Sequence, residues 1–276
     1  MISNEEHAKY IKEKKYGHIQ LPDGTKIINR IISHSEDTEK NSKQFIESFG
    51  EKAPVTIENL GVNFFVQSEI STCRWGCAKG DHVAEYLIGK GLNSSVCSLR
   101  LLLLGYYDES LVLSRGIGEI ANLLCLFAHD PSSFSKWKKM TKKERQKHYR
   151  PSQVRVKIQS MQISDKNDDT EFCPIDDARY KALSEGITHA TPDSRPQSFN
   201  FHFTPVIGGY FQHIGALTAL HELALPSAVV TLYGGLITQN NQLLRQLCFD
   251  VACKSLLNLG NMHILNLKEN IFKLRK

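Results

Sequence analysis

Apolar residues recur along most of this chain at the three- and four-residue spacings of a helix. Between Asp108 and Asp130, Leu113, Ile117, Ile120, Leu124 and Phe127 fall four, three, four and three residues apart, which gathers them on one helical face. The opposite face is also largely apolar, so this helix is predicted to be buried on most sides. A helix precedes it, divided from it near Gly105, with Asn93 and Asp108 as expected N-terminal caps and Pro131 beyond the end. The stretch "GGYFQHIGALTALHEL" from Gly208, a further apolar segment past Pro226, and a run from about Asn240 to Leu259 with Leu244, Leu247, Val251 and Leu256 apolar give more helices, and Gly260 stands at the last stop.

Shorter signals fill the intervals. Between Tyr16 and Ile32, two brief alternating runs flank Pro22-Asp23-Gly24, where glycine can supply the positive φ of a tight turn, and they predict a small β-hairpin. A polar helix over Glu36 to Phe49 follows, and Pro54 opens another segment. Thr141-Lys142-Lys143-Glu144 has the spacing of a capping box, and Pro151 suits a first helical position. A helix starting at Pro174 carries Asp176 and Asp177 in its first turn, where carboxylates favour the positive end of the helix dipole, and runs into His189. The predicted fold class is all-α, a helical bundle of roughly eight or nine helices with a small N-terminal β-hairpin. Residues 1–60 form the expected N-terminal extension and residues 61–276 the bundle domain.

Composition narrows the class. With 41% hydrophobic and 23% charged residues among 276, the chain has a globular balance, which excludes wholesale disorder. The longest apolar tract, from Ile214 to Thr238, is interrupted by His221, Glu222 and Pro226, so no membrane span is expected. Seven scattered cysteines and the lack of a leading apolar segment point to a cytoplasmic protein with free thiols. The formal net charge is +5, but Lys136 to Arg150 alone holds eight Lys or Arg against one Glu, a local +7 that leaves −2 for the rest. The basicity is therefore one patch: Lys136, Lys138, Lys139, Lys142, Lys143, Arg145, Lys147 and Arg150, interleaved with Trp137 and Tyr149. Cations could track a phosphate backbone while a ring stacks on a base, so RNA or another polyanion is the expected ligand. A solvated helix face is the plainer reading of the same run.

Three further groups could carry chemistry. Arg115, Glu119 and Asn122 form a polar stripe on the apolar helix, and a buried charge there needs a partner or a wet cleft. An Arg115–Glu119 pair that fixes register would satisfy it equally. His189 stands where an imidazole would interact with the exposed carbonyls of a helix C-terminus, either as a cap or as a positioned proton carrier. Cys73, Cys77 and His82 supply three of the four ligands that structural zinc takes, with Cys97 as a fourth in principle, but the usual two-residue cysteine spacing is missing and no metal is expected. His213 and His221 read as hydrogen-bonded core histidines.

The stretches "GYYDESLVLSRGIGEIANLLCLF", "KWKKMTKKERQKHYRPSQVRVKI" and "YKALSEGITHATPDSRP" together resemble a group of uncharacterised bacterial helical proteins regarded as HEPN-like (higher eukaryote and prokaryote nucleotide-binding), over about Asn93 to Pro196. The resemblance implies a helical bundle that dimerises, without cofactor, and metal-independent ribonuclease activity in defence or stress responses. Its active pattern is an Arg followed by a His after four to six residues. Arg195 and His202 have that spacing, in a proline-containing loop, whereas Arg179 precedes His189 by ten positions. On this reading Arg115 binds phosphate, Glu119 orients its neighbours, His189 moves the proton, and the loop supplies Arg195 or His202. The alternative reading keeps the bundle as a non-catalytic module that binds a protein or a nucleotide.

Overall fold

The structure is a computed structural model that describes residues 23–77, 81–162, 176–188, 195–200 and 205–260. Among the described residues the chain forms ten α-helices, a short π-helical segment and no strand. The all-α class stands, and the expected hairpin and helix number do not.

The hairpin fails because Asp23 caps a helix where a turn was expected. Its carboxylate accepts a hydrogen bond from the Thr25 amide at 2.8 Å, and Gly24 opens α1 (Gly24–Ser48), which absorbs both the second expected strand and the polar helix after it. An Asp-Gly pair serves a turn or a helix start equally well, and Ile27, Ile28, Ile31 and Ile32 have the helical period. Residues 16–22 lie outside the described residues.

The count rises to ten partly because the basic run is two helices. After α2 (Lys52–Ser71), α3 (Val83–Leu103) and α4 (Tyr107–His129) come α5 (Pro131–Lys139) and α6 (Lys142–His148). Asp130 caps α5 by accepting from the Ser132 amide at 3.0 Å. The expected capping box starts α6: the Thr141 hydroxyl accepts from the Glu144 amide at 3.3 Å, and Glu144 accepts from the Thr141 amide at 2.7 Å. Two of the expected caps shift. Asn93 lies inside α3, and Asp108 lies in the first turn of α4. Then follow α7 (Pro151–Gln162), α8 (Asp177–Leu183), the π segment Ser184–Thr188, α9 (His213–Thr238) and α10 (Gln242–Asn258).

The bundle is built around α9, which packs against α4, α10, α3 and α2. Pro226 does not end it. Proline inside a helix costs roughly 3 kcal/mol through a lost hydrogen bond and a ring clash, but Leu223, Leu225, Ala228, Val229 and Val230 on both sides of it enter the same core. At roughly 1.5–3 kcal/mol per large buried side chain, a continuous helix is favoured. By length and composition α4 and α9 could each cross a membrane, and most of each is buried inside the fold.

Polar residues also point inward. Gln67 on α2 is fully buried and its Nε2 donates to the Ser227 carbonyl at 2.9 Å and to the Thr231 hydroxyl at 3.0 Å on α9. Asn63 donates to the Ser255 hydroxyl on α10 at 2.7 Å. Residues 60 and 61 are consecutive positions of this same α2. Where α9 meets α10, a Cβ on Gly235 would stand 2.4 Å from Cys248 Cβ, so only glycine permits the approach.

Candidate functional site

The polar stripe of α4 meets α8 and the π segment. The Arg115 guanidinium donates through Nε to the Ser184 hydroxyl at 2.9 Å and through Nη2 to the Tyr180 hydroxyl, and Nη2 lies 3.3 Å from Glu119 Oε1. The Tyr180 hydroxyl in turn donates to Glu119 Oε1 at 3.1 Å. Burial, and after it the Glu119 carboxylate, push the Tyr180 phenol above its usual range, against the opposing pull of Arg115. Arg115 and Glu119 therefore pair with each other and with residues about sixty-five positions further on.

Sequence reading did not find the rest of this cluster. Arg155 on α7 stacks its guanidinium carbon 4.1 Å from the Tyr180 ring centroid, and Arg115 stands 4.3 Å from the same centroid. Arg155 also pairs with Asp177. Arg179 grips Glu222 on α9 with both arms of its guanidinium, at 2.6 and 2.7 Å, and contacts His221 Nδ1 at 3.2 Å. Burial pushes the Glu222 carboxyl up, but hydrogen bonds from His221 and Arg179 outweigh it and hold the group below its usual range. Two arginines, Arg115 and Arg155, thus converge on seven-residue α8, and a third, Arg179, reaches from it to α9. The sequence signal was present in the one-turn spacing of Arg179, Leu183 and their neighbours, but which helices these side chains would reach was not.

His221 is not a core histidine. Its side chain is 44% exposed, and it meets Arg179 at the edge of the cluster. His213 is exposed at the first position of α9, edge-on to Phe45 at 4.7 Å. His189 and His202 lie outside the described residues, and Thr188, directly before His189, ends the π segment. Arg195 is exposed, and its loop docks through Gln197 on the start of α4, where Gln197 Oε1 accepts from the Tyr107 amide at 2.8 Å. That point is roughly 12 Å along the helix axis from Arg115.

The basic corner separates into two sets. Lys136, Lys139, Lys142, Lys143, Lys147 and Arg150 are exposed and form no ion pair with a described residue. Lys138 pairs with Asp81, and Arg145 donates to the Met140 carbonyl at 2.6 Å with its guanidinium 5.7 Å from the Trp137 ring centroid. The aromatic residues face inward. Trp137 packs 5.4 Å from the ring of buried Phe127, and Tyr149 is buried and donates to the Ser133 carbonyl at 3.2 Å. Aromatic stripes at helical spacing serve the core more readily than a ligand, and these two complete it.

At the turn between α2 and α3, Cys73, Cys77 and His82 come together, and the fourth group is Glu85, not Cys97, which is exposed on α3. The Cys73 thiol is pushed up to about 11, first by its hydrogen bond with Cys77 and then by burial.

The fold and these clusters define a class only: an all-α bundle with an arginine-lined polar cluster on a central helix and a cationic corner beside it. Compared with protein families, curated proteins and solved structures, the chain shows no match.

Proposed function

We propose that this chain is a HEPN-like cytoplasmic protein that binds RNA or another polyanion through the corner formed by α5 and α6. The observation that carries this reading is the set of six exposed cations, five on two consecutive short helices and Arg150 just after them, with no described acidic partner. Such groups release counterions on meeting a phosphate backbone, and they are displayed together because Trp137 and Tyr149 anchor the opposite face. In the same reading Arg115 contacts phosphate, His189 carries the proton of a metal-independent cleavage, and two chains pair. Arg115 Nη1 has no partner among the described residues, which supports a phosphate contact.

One observation favours the second reading, a non-catalytic module. Nε and Nη2 of Arg115 are already held by Ser184, Tyr180 and Glu119, as in a cluster that fixes helix register.

Binding of a labelled single-stranded RNA is measured across a salt series for the wild type and for the combined Lys139→Glu, Lys142→Glu, Lys143→Glu and Lys147→Glu variant. Loss of retention with a salt slope flatter by about 0.7 per lost contact supports the corner, and unchanged binding overturns it. Cleavage is scored in a buffer without magnesium or calcium, comparing the wild type with Arg115→Ala and His189→Ala. Intact RNA at high protein concentration selects the non-catalytic reading.

A further inference from the structure

The turn between α2 and α3 places four metal-ligating groups around one point. Cys73 Sγ lies 3.3 Å and Cys77 Sγ 3.5 Å from His82 Nδ1, and all four candidate ligand atoms, Glu85 included, lie within 4.8 Å of one another. Bonds of about 2.0–2.3 Å to zinc set the edges of a coordination tetrahedron at roughly 3.3–3.8 Å, so the two thiols already stand at ligand spacing from the imidazole.

Glu85 points to an occupant. It is 4% exposed in the first turn of α3 and, among the described residues, forms no hydrogen bond or ion pair, although its carboxylate lies within 4.8 Å of both thiols and the imidazole. A buried carboxylate without a partner is costly, and among the described residues the groups that surround it here, two thiols and an imidazole, offer it no fixed positive charge. A divalent cation coordinated by all four groups would supply that charge. The backbone converges as well: Cys73 (φ 56) and His82 (φ 53) are non-glycine residues in the left-handed region, which persists where surrounding interactions hold it.

We propose that Cys73, Cys77, His82 and Glu85 bind one zinc ion. Two thiolates, an imidazole and a carboxylate form a borderline-soft donor set suited to zinc in tetrahedral geometry, and unlike the oxygen-only shells of calcium and magnesium. Four protein ligands fill the coordination sphere, so the site is structural. It clasps the end of α2 to the start of α3, which has no side-chain cap of its own at His82. Asp81, directly before His82, pairs with Lys138, so the clasp also steadies the base of α5. The spacing of three residues between the cysteines and the use of Glu85 depart from the paired two-residue motif, which is why the pattern is weak in sequence.

The full chain is purified under reducing conditions, its zinc is quantified by atomic emission, and the metal-free protein is titrated with cobalt. One zinc per chain and a tetrahedral cobalt spectrum with thiolate charge transfer are expected. Cys73→Ser and Cys77→Ser should lose the metal, and Cys97→Ser should retain it. Glu85→Gln should weaken binding by at least the roughly 10- to 100-fold that loss of an outer partner costs. Circular dichroism checks that each variant is folded, and the cobalt spectrum of the wild type does not depend on any variant folding. No zinc and no tetrahedral cobalt spectrum in the wild type, a Cys73–Cys77 disulfide in freshly purified reduced protein, or equal zinc content in Cys77→Ser and the wild type would overturn the assignment. RNA retention enters none of these readings, so the zinc site and the basic corner fail independently.

Discussion

Arg115 on α4 and Tyr180 on α8 meet face to hydroxyl: the guanidinium lies 4.3 Å from the ring centroid, donates to the phenol oxygen, and shares Glu119 with it. The ring is covered on its own account by Arg155 at 4.1 Å. Tyr180 therefore links three helices, and its hydroxyl and its ring do different work. Tyr180→Phe keeps both cation–ring contacts and removes only the hydroxyl, so a loss of about 1–2 kcal/mol in chemical denaturation is expected. Tyr180→Ala should lose more. Equal losses for the two variants would show that the hydroxyl carries the whole contact.

Arg179 and Glu222 give the fold an acid-sensitive joint. The Glu222 carboxyl is held below its ordinary value of 4.5, so its contribution is present above that value and fades as pH falls through the lowered one. Stability of the wild type should fall with acidification below pH 4.5 more steeply than that of Glu222→Gln. Parallel pH profiles from thermal melts would contradict the joint.

Gly235 is a packing position. A methyl group there would overlap Cys248 Cβ at 2.4 Å and Cys248 Sγ at 2.6 Å, both on the facing helix. Gly235→Ala is expected to destabilise by about 1–3 kcal/mol despite alanine's better helix propensity. At roughly 2–4 °C per kcal/mol for a chain of this size, Tm falls by several degrees. An unchanged or raised Tm would mean that α10 moves aside without cost.

Trp137 separates core from ligand. Its ring packs beside Phe127, so Trp137→Phe should preserve RNA retention and cost only a modest loss of stability, while Trp137→Ala should cost about 3 kcal/mol or more. If Trp137→Phe weakens RNA binding tenfold while stability is unchanged, the ring meets the ligand after all.

The all-α class, the burial of α4, the capping box of α6 and the stop at Gly260 were legible in the chain, because each depends on residues within a turn or two of one another. The same locality misled at Asp23-Gly24, where one dipeptide serves two local structures, and at Pro226, where a local penalty is outweighed by burial on both sides. The candidate site was legible only in part. Arg115 and Glu119 stood out as charges on an apolar helix, whereas Arg155 and Arg179 resembled ordinary surface charges and Glu222 only a break in an apolar tract, until packing joined them around α8.

What the sequence determined by itself was the local chemistry: helical periods, caps and the uneven placement of positive charge, all set by neighbours along the backbone. Tertiary structure decided what those groups meet. Gln197 caps the first amide of α4 from ninety residues away, and Glu85 replaces Cys97 beside two cysteines and a histidine. No spacing rule encodes such meetings, because the partners are fixed by how whole helices bury their apolar faces against α9.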